Sequence, residues 1–411
     1  MGTLGHAART GSFALAIAFS GCGGGQTHLA LFTTNWSDDG GQSIEAIRQR
    51  IGATRAAAGT DVVVGVTGHL DTLVGLPLSG GAPWKVAHAL SSRPILVTNV
   101  VVASGGGELF ALDASTGRKL WSRPLGGLEL HGAGDDGAVT VVTLSSSTGT
   151  GSTLLAVLRD GSVVRQIETD QALGTPAVLA GLAFVPWSNQ YISVLDLADG
   201  GEVARVVLRE MTSRAWTTGG GLYFGEVGLF RFDEHIKDAA RNRASHIALP
   251  ARELPGAPRL MVPGAQKLGP GQGAPDKVRL YARPSSPPAP LALDDGRFYA
   301  TYFKLVMGFT ADKGALAWVH THASDVIGGA AAAGGVVLCD ESGKVTVLGA
   351  KNGGVVAERD LGGPVASCVV QVDAYAPTGV EQDPGPMAAQ LQRALENRNT
   401  ELATAQRLLL R

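Results

Sequence analysis

The chain has 411 residues, a formal net charge of −2 and only 17% charged residues, compared with about 25% in an average soluble domain. A chain this close to neutral lacks the basic character of nucleic-acid-binding domains, so no nucleic-acid partner is expected. The 57 glycines and the low charge favour a fold that is rich in turns and buried strands. The length allows two average domains or one large domain built from repeats.

The N-terminal segment predicts export and a lipid anchor. An apolar stretch, Ser12–Phe19, follows a single positive charge at Arg9 and is too short to span a bilayer. It ends in Phe19-Ser-Gly-Cys22, which resembles the bacterial lipobox, whose cysteine carries the lipid. The resemblance implies lipidation of Cys22 and, with a small residue after the cysteine, sorting to the periplasmic side of the outer membrane. The alternative is a plain signal peptide with an incidental cysteine.

A short helix is predicted before the first repeat. Ser43 is a suitable N-cap, Gly52 is a suitable stop, and Ile44, Ile47 and Ile51 fall on one helical face. We expect this helix to pack on the outside of the folded body.

One segment, Glu108–Trp121, has the pattern of a strand, a tight turn and a second strand. In the turn, Asp113 and Thr116 can bond backbone amides, and Gly117 accepts a positive φ. The spacing Ala-x-Asp-x-x-Thr-Gly-x-x-x-Trp recurs in part along the chain. Further copies are Gly80/Trp84 and Gly314/Trp318, with degenerate copies ending at Arg165, Ala204 and Ala357. Apart from one large gap, the copies are about 37 to 44 residues apart, the period of a four-stranded propeller blade.

This pattern resembles the repeat of the pyrroloquinoline-quinone-type (PQQ-like) β-propeller family. The resemblance implies an all-β fold, a closed β-propeller of four-stranded blades, with seven blades favoured and eight possible. It also implies that the repeated segment joins the third and fourth strands of a blade, and that its tryptophan docks against a neighbouring blade. The residues to which the resemblance gives this structural role are Trp84, Ala111, Asp113, Gly117, Trp121, Gly314 and Trp318.

The blades are expected in chain order. The first has only three clear strands, and the second has four, between Arg93 and Pro124. One more strand, at 364–371, has no following partner, so we expect it to complete the first blade and close the ring, which removes exposed sheet edges. The other blades are expected at 138–168, at 176–209, from about Thr217 onward, at 291–322 and at 327–361.

Residues 250–290 interrupt the repeat pattern. They contain half of the 20 prolines, and proline is confined to sheet edges and loops because it cannot donate a ladder hydrogen bond. We interpret the segment as an inserted loop with room for a strand at Val278–Tyr281. The alternative is a decayed eighth blade.

The two remaining cysteines lie in the seventh blade and in the closing strand. Cys339 and Cys368 could form a disulfide in an oxidising compartment and so fasten the last blade to the closing strand. Two buried free thiols are the favoured interpretation, and the disulfide is the alternative.

The C-terminal residues are predicted to form a linker and then a helix. Asp383–Pro386 is the linker, and Leu391, Leu395, Leu402 and Leu409 follow at helical spacing. This helix either docks on the propeller or binds a partner. The predicted organisation is a signal peptide at 1–22, a tether and lead-in at 23–59, the propeller at 60–375 with its Pro-rich insertion at 250–290, and the linker and helix at 376–411.

Sequence patterns of known catalytic sites are absent. The chain has no Cys-Cys pair of the kind found in quinoprotein dehydrogenases, no HExxH, no Gly-x-Ser-x-Gly and no set of carboxylates with calcium-ligand spacing. His320 and His322 would point to one face of a strand, as in a metal site, but no third ligand is nearby. We interpret them as an ordinary surface pair and expect no catalytic residue, no metal and no cofactor.

Propeller repeats behind a lipobox, without catalytic residues, resemble the BamB-like propeller lipoproteins of the outer-membrane assembly machinery. The resemblance implies a non-enzymatic scaffold that binds other envelope or outer-membrane proteins and contacts the membrane through its lipid anchor. Two alternatives from other classes stay open. One is a PQQ-dependent dehydrogenase, and the other is an envelope sensor of a small ligand.

Overall fold

A computed structural model describes residues 31–33, 44–208, 212–225, 228–232, 246–248, 259–260 and 279–397, apart from 149–150, 313, 387 and 395. Within these residues the strands form seven sheets; six have four strands and one has five. A helix, α1 (Ile44–Ala53), precedes them.

The sheets are numbered from the first strand of the propeller. Sheet 1 contains β1 (Val62–Thr67), β2 (Thr72–Pro77) and β3 (Trp84–Ala87); sheet 2 contains β4 (Ile95–Val97), β5 (Val100–Gly105), β6 (Glu108–Asp113) and β7 (Lys119–Pro124); sheet 3 contains β8 (Leu128–Asp135), β9 (Val139–Ser146), β10 (Ser152–Leu158) and β11 (Val163–Thr169); sheet 4 contains β12 (Ala177–Leu179), β13 (Leu182–Trp187), β14 (Tyr191–Asp196) and β15 (Glu202–Val207).

The second half of the chain continues this arrangement. Sheet 5 contains β16 (Arg214–Thr218), β17 (Gly221–Gly225), β18 (Gly228–Arg231) and β19 (His246–Ala248); sheet 6 contains β20 (Arg259–Leu260), β21 (Arg279–Pro284), β22 (Leu293–Tyr302), β23 (Leu305–Thr310) and β24 (Leu316–Thr321); sheet 7 contains β25 (Val326–Ala332), β26 (Gly335–Asp340), β27 (Lys344–Gly349) and β28 (Val355–Asp360); and β29 (Val365–Gln371) returns to sheet 1.

Sheet 1 joins the two ends of the propeller. Strand β29 pairs antiparallel with β1, with Val369 opposite Val64 and Cys368 opposite Gly65. The predicted pairing of 364–371 with the first blade is therefore confirmed. The all-β propeller of four-stranded blades is confirmed as well, and the described sheets fit the count of seven. Closure of the ring stays a prediction.

The hydrophobic core lies between the sheets. Seven clusters of buried apolar residues each combine two consecutive sheets, and one of them combines sheets 7 and 1. Strand β5 illustrates the result: Val100 and Val102 face sheet 3, while Val101 and Ala103 face sheet 1. Because both faces of the sheet are covered, successive side chains are all apolar, and burial of each valine contributes about 1.5–3 kcal/mol.

Three blades begin earlier than the sequence indicates. Sheet 3 begins at Leu128 and not near 138, and sheet 5 begins at Arg214 and not near Thr217. Sheet 6 carries β20 as an additional parallel strand, and its four-stranded blade begins with β21. The strand predicted at Val278–Tyr281 is therefore present as β21, but it belongs to a blade and not to an inserted loop. Proline is tolerated in β21 because Pro284 lies past a register shift at the end of the strand. None of the described residues of this segment forms an eighth sheet.

The predicted N-terminal helix is present as α1. Ile47 is fully buried in the cluster between sheets 4 and 5, and Ile51 packs against the same cluster. Arg50 fixes the helix by donating to Asp196 Oδ2 at 2.6 Å and to the carbonyl oxygen of Ala180 at 2.9 Å. Ser43, the predicted cap, lies outside the described residues.

The C-terminal helix is docked along the part that the structure describes, from residue 385 to residue 397. Leu391 packs against the cluster between sheets 5 and 6. Gln392 donates to the carbonyl oxygen of Ala317 in β24 at 3.1 Å. Three of the predicted leucines, Leu395, Leu402 and Leu409, lie outside the described residues. No helix in the described ranges is long and apolar enough to cross a membrane.

Candidate functional site

The turn at the centre of the repeat is held by one aspartate. Asp113 Oδ1 accepts hydrogen bonds from the backbone N–H groups of Ser115 and Thr116, at 3.1 and 3.0 Å, and from both hydroxyls. Burial acts to raise the pKa of Asp113, but these hydrogen bonds outweigh it and hold the pKa below its usual value. Gly117 closes the turn at a φ of 72° and donates its N–H to the carbonyl oxygen of Asp113 at 2.8 Å.

Other sheets repeat this turn with different residues. Gly200, Gly314 and Gly353 also have positive φ values, of 78°, 62° and 71°. Each donates its N–H to the carbonyl oxygen four residues earlier, at 2.7 to 3.2 Å. The recurring glycine of the repeat is therefore required by the left-handed backbone conformation, which other residues adopt only with strain.

Two tryptophans connect one sheet to the next in the same way. Trp84 lies opposite Gly75 in its own sheet, and its ring covers Gly117 of sheet 2, where an added Cβ would come within 2.6 Å. Its Nε1–H donates to the carbonyl oxygen of Ala114 at 3.0 Å. The indole thus spans two sheets and is fixed by a hydrogen bond at the far one.

Trp318 repeats this contact between sheets 6 and 7. It lies opposite Gly308, and its ring covers Gly353, where an added Cβ would come within 2.4 Å. Its Nε1–H donates to the carbonyl oxygen of Ala350 at 3.0 Å. Trp318 and Trp84 therefore have the same kind of hydrogen-bond acceptor at the same distance, which indicates that the repeat specifies one docking geometry.

Trp121 departs from that geometry. It is buried, with only 5% of its surface exposed, and packs in the cluster between sheets 2 and 3. Its Nε1–H has no hydrogen-bond partner, in contrast to Trp84 and Trp318. The residue opposite Trp121 is Ala111, where the other two have glycine. Because a Cβ at that place would meet the indole, Ala111 prevents Trp121 from lying flat across the strand as the other two do.

An arginine occupies the equivalent place in sheet 3. Arg165 is at the position that the degenerate copy of the repeat assigns to tryptophan, and it covers Gly200 of sheet 4. Its guanidinium donates to the carbonyl oxygen of Ala198 at 2.6 Å. The arginine therefore replaces both the flat surface and the N–H donor of the indole. The sequence signal for the position of Arg165 was Gly161, four residues before it.

Cys339 and Cys368 are joined as a disulfide, with their Cα atoms 6.4 Å apart. Cys339 lies in β26 of sheet 7, and Cys368 lies in β29 of sheet 1. Both are completely buried. The structure therefore contains the disulfide alternative, and the preference for two free thiols was wrong. Glycine at 328 permits the close approach of sheets 7 and 1 beside the disulfide, because an added Cβ there would lie 2.5 Å from the Cys368 carbonyl oxygen.

The two histidines do not form the surface pair that the sequence indicated. His322 is buried between sheets 6 and 7, and its Nδ1 lies 3.5 Å from Asp340 Oδ2. Burial, with a further contribution from His322, lowers the pKa of His320 to about 4. Across the described ranges no three His, Cys, Asp or Glu residues are arranged to hold a metal ion.

A cluster of basic residues, which sequence analysis missed, lies on the first strands of four sheets. Arg93 lies two residues before β4 and is buried, and Arg279 begins β21. Both guanidinium groups donate to the same acceptor, the carbonyl oxygen of Ile327. His131 and Arg214 are the other members. No local sequence signal marks this cluster, because each member is a single basic residue in an otherwise ordinary strand.

The lipidation site that the lipobox resemblance implies, Cys22, lies outside the described residues. The predicted blade-docking residues and the two disulfide cysteines are all described, and each lies where two consecutive sheets meet or in a turn between the last two strands of a sheet.

The chain was compared with known families and structures. The family model described as "Outer membrane protein assembly factor BamB" matches residues 71–217, somewhat more than a third of the chain. None of the curated proteins compared with the chain matches it.

Several solved structures are similar to the chain at low identity. BamB from Moraxella catarrhalis is 15% identical, with a TM-score of 0.38 over 75% of this chain and 86% of that one. Apo AztD from Citrobacter koseri is 11% identical, with a TM-score of 0.44 over 77% and 99%. The dihydro-heme d1 dehydrogenase NirN is 12% identical, with a TM-score of 0.43 over 74% and 64%. Each TM-score is below 0.5, so these similarities indicate no function. The resemblance of this chain to the PQQ-like β-propeller repeat family, first inferred from its turn and tryptophan spacing, is confirmed by the family match over residues 71–217.

Proposed function

We propose that this protein is a non-enzymatic scaffold of the bacterial cell envelope that binds other proteins, with a BamB-like part in outer-membrane protein assembly. The observation that carries the proposal is the match of residues 71–217 to the family described as outer membrane protein assembly factor BamB. The rigid sheet contacts described above suit this role, because a scaffold needs surfaces whose relative positions do not change.

The docking surface of the scaffold lies on outer strands inside the matched segment. The fourth strand of a sheet has no further strand beside it within the described residues, and such an edge can pair with an extended segment of another protein. Strand β15 ends in Val207, whose surface is 65% exposed, and β11 begins with Val163, which is 37% exposed. Exposed valines at the ends of edge strands provide the apolar contacts that accompany such pairing.

Two other outer strands are already contacted by the C-terminal segment of the chain. Gln382 donates its N–H to the carbonyl oxygen of Val355 in β28 at 3.1 Å, and Gln392 contacts β24 through Ala317. A partner segment would compete with these contacts at sheets 6 and 7. Strand β15 is contacted as well, because Arg205 donates to the carbonyl oxygen of Thr33, but Val207 at its end is still 65% exposed. The edges of sheets 3 and 4 are assigned to partners because their exposed valines lie inside the matched segment.

Affinity capture from solubilised membranes tests the scaffold. We expect the wild-type protein to recover outer-membrane proteins and Val207→Lys to recover much less, because a charge on an edge strand opposes strand addition. Val380→Lys is the matched control, since Val380 is 90% exposed but lies outside the matched segment. Equal recovery by both variants would place the partner surface elsewhere, and no recovered protein with the wild type would argue for a small-ligand sensor.

The same purified protein distinguishes the scaffold from an enzyme. A scaffold binds no PQQ and reduces no artificial electron acceptor with alcohols or sugars, with or without added calcium. Stoichiometric PQQ binding together with calcium-dependent dye reduction would support a quinoprotein dehydrogenase and would contradict the proposal.

A further inference from the structure

The basic cluster defined above lies where the first strands of the sheets meet. Strands β29, β4, β8, β12 and β16 contact one another in that order, and β21 and β25 contact each other and lead back to β29. In a propeller the first strands surround the central channel. Arg93, His131, Arg214 and Arg279 each lie on or next to one of these strands, so the cluster faces the centre of the predicted ring. The short strand β20 pairs parallel with β21 beside Arg279.

Arg93 and Arg279 approach each other closely despite their like charges. Arg93 Nη2 donates to the carbonyl oxygens of Cys368 and Ile327, at 2.5 and 3.4 Å. Arg279 Nη1 donates to the same Ile327 oxygen from the other side. Because the two guanidinium groups share one acceptor atom, their positive charges lie within a few ångströms of each other.

Among the residues that the structure describes, little compensates the charge of Arg93. Its side chain is buried, its Nε–H has no hydrogen-bond partner, and its other contacts are to neutral carbonyl groups. Burial, followed by the positive charge of Arg279, lowers the pKa of Arg93 to about 10; Tyr281 acts to raise it and Arg214 lowers it further. Within the described residues, no Asp or Glu contributes to the pKa of Arg93 or forms an ion pair with Arg93 or Arg279. A buried cation without a counter-charge is costly, and an anion that binds beside it removes that cost.

The cluster is also accessible from water. His131 is exposed, yet burial by the surrounding protein and the charge of Arg214 lower the pKa of the His131 imidazole. Arg279 is partly exposed, so a solute can reach its guanidinium group beside the buried Arg93.

We propose that the central channel is a binding site for a small oxyanion, a ligand that carries carboxylate or phosphate groups, held between Arg93 and Arg279. A guanidinium group presents two parallel N–H donors that match the two oxygens of either group, and such charged pairs are among the strongest hydrogen bonds in proteins. The anion neutralises the paired arginines and links sheets 1, 2, 6 and 7 at the channel. The site is independent of the scaffold function proposed above.

Titration calorimetry on the purified full chain tests the site, with inorganic phosphate and citrate as probes at an ionic strength held constant with sodium chloride. We expect one equivalent of phosphate, citrate or both to bind, and Arg279→Gln to weaken that binding about tenfold or more. Binding of phosphate alone would assign a phosphate ligand, and binding of citrate alone would assign a carboxylate ligand.

Arg123→Gln is the matched control. Arg123 also donates to a carbonyl oxygen of the next sheet, that of Gly161, and also has a buried Nε–H without a partner. It lies, however, on the outer strand β7, so its substitution should leave anion binding unchanged. Failure of both probes to bind the wild type, or equal affinity in wild type and Arg279→Gln, would overturn the proposal, as would binding of an acidic protein segment but of neither probe.

A crystallographic measurement covers the case in which Arg279→Gln does not fold. Wild-type crystals soaked in sodium selenate should show an anomalous peak between the Arg93 and Arg279 guanidinium groups. Anomalous peaks found only at other arginines would contradict the site.

Discussion

At the scale of single residues, the contact between sheets depends on the residue opposite each tryptophan. Gly75 and Gly308 let Trp84 and Trp318 lie flat across the strand and reach a carbonyl group of the next sheet. The Cβ of Ala111 prevents Trp121 from lying flat across the strand. The Nε1–H of Trp121 is therefore buried without a hydrogen-bond partner. The repeat spacing predicts a tryptophan contact in all three places, but only the cross-strand residue predicts which of them includes the hydrogen bond.

Phenylalanine substitutions should separate the two kinds of tryptophan. Trp84→Phe removes the hydrogen bond to Ala114 and leaves that carbonyl group unsatisfied, so we expect a loss of about 1–3 kcal/mol in the free energy of unfolding. Trp121→Phe removes a donor that has no partner, so its loss should be smaller. Urea denaturation of both variants measures the difference, and a larger loss for Trp121→Phe would contradict the assignment.

Truncation of Trp121 tests its packing role. Trp121→Ala should lower the free energy of unfolding by about 3–5 kcal/mol, because it leaves a cavity in the core between sheets 2 and 3. Unchanged stability with loss of ligand binding would instead assign Trp121 to a binding site.

At the scale of strands and turns, the repeat spacing was sufficient for most of the fold. The turn geometry repeats because a positive φ requires glycine at Gly117, Gly200, Gly314 and Gly353, and this requirement is visible in the sequence. The strand at Val278–Tyr281 was predicted and is present as β21, but it was placed in an insertion and not in a blade because prolines surround it and no turn signal precedes it. The paired arginines could not be predicted, because Arg93 and Arg279 belong to different blades and only the packing of first strands brings them together.

The disulfide between β26 and β29 is a second covalent link between sheets 7 and 1, in addition to the backbone that joins β28 to β29. It closes a loop of 29 residues, for which chain entropy predicts a stabilisation of about 3–4 kcal/mol. The double variant Cys339→Ala/Cys368→Ala should therefore unfold at lower urea concentration than the oxidised wild type. Reduced wild-type protein is the control, since it lacks the bond but keeps both sulfur atoms. Equal stability of the oxidised and reduced wild type would show that the link contributes nothing.

At the scale of the whole molecule, the predicted lipid anchor would determine the location of the propeller in the cell envelope. An anchor near residue 22 would hold the ring beside a membrane and raise its effective concentration toward membrane-bound partners. Cys22→Ser should therefore release the protein into the soluble periplasmic fraction, while the wild type incorporates labelled fatty acid and sediments with membranes. A variant that still sediments, together with a wild type that takes up no label, would exclude the anchor.

The pairing of β29 with β1 has a consequence for how the chain is made. Val62 in β1 can pair with Gln371 in β29 only after nearly all the other strands have been synthesised. Pairings between positions so distant in sequence slow folding. Until β29 arrives, β1 has an unpaired edge of five consecutive buried residues, the kind of edge that recruits strands from other chains. A nascent or exported chain therefore passes through a long period in which sheet 1 is open, and protection by a chaperone matters most during that period. A shortened product that ends before β29 would keep this edge permanently and would aggregate.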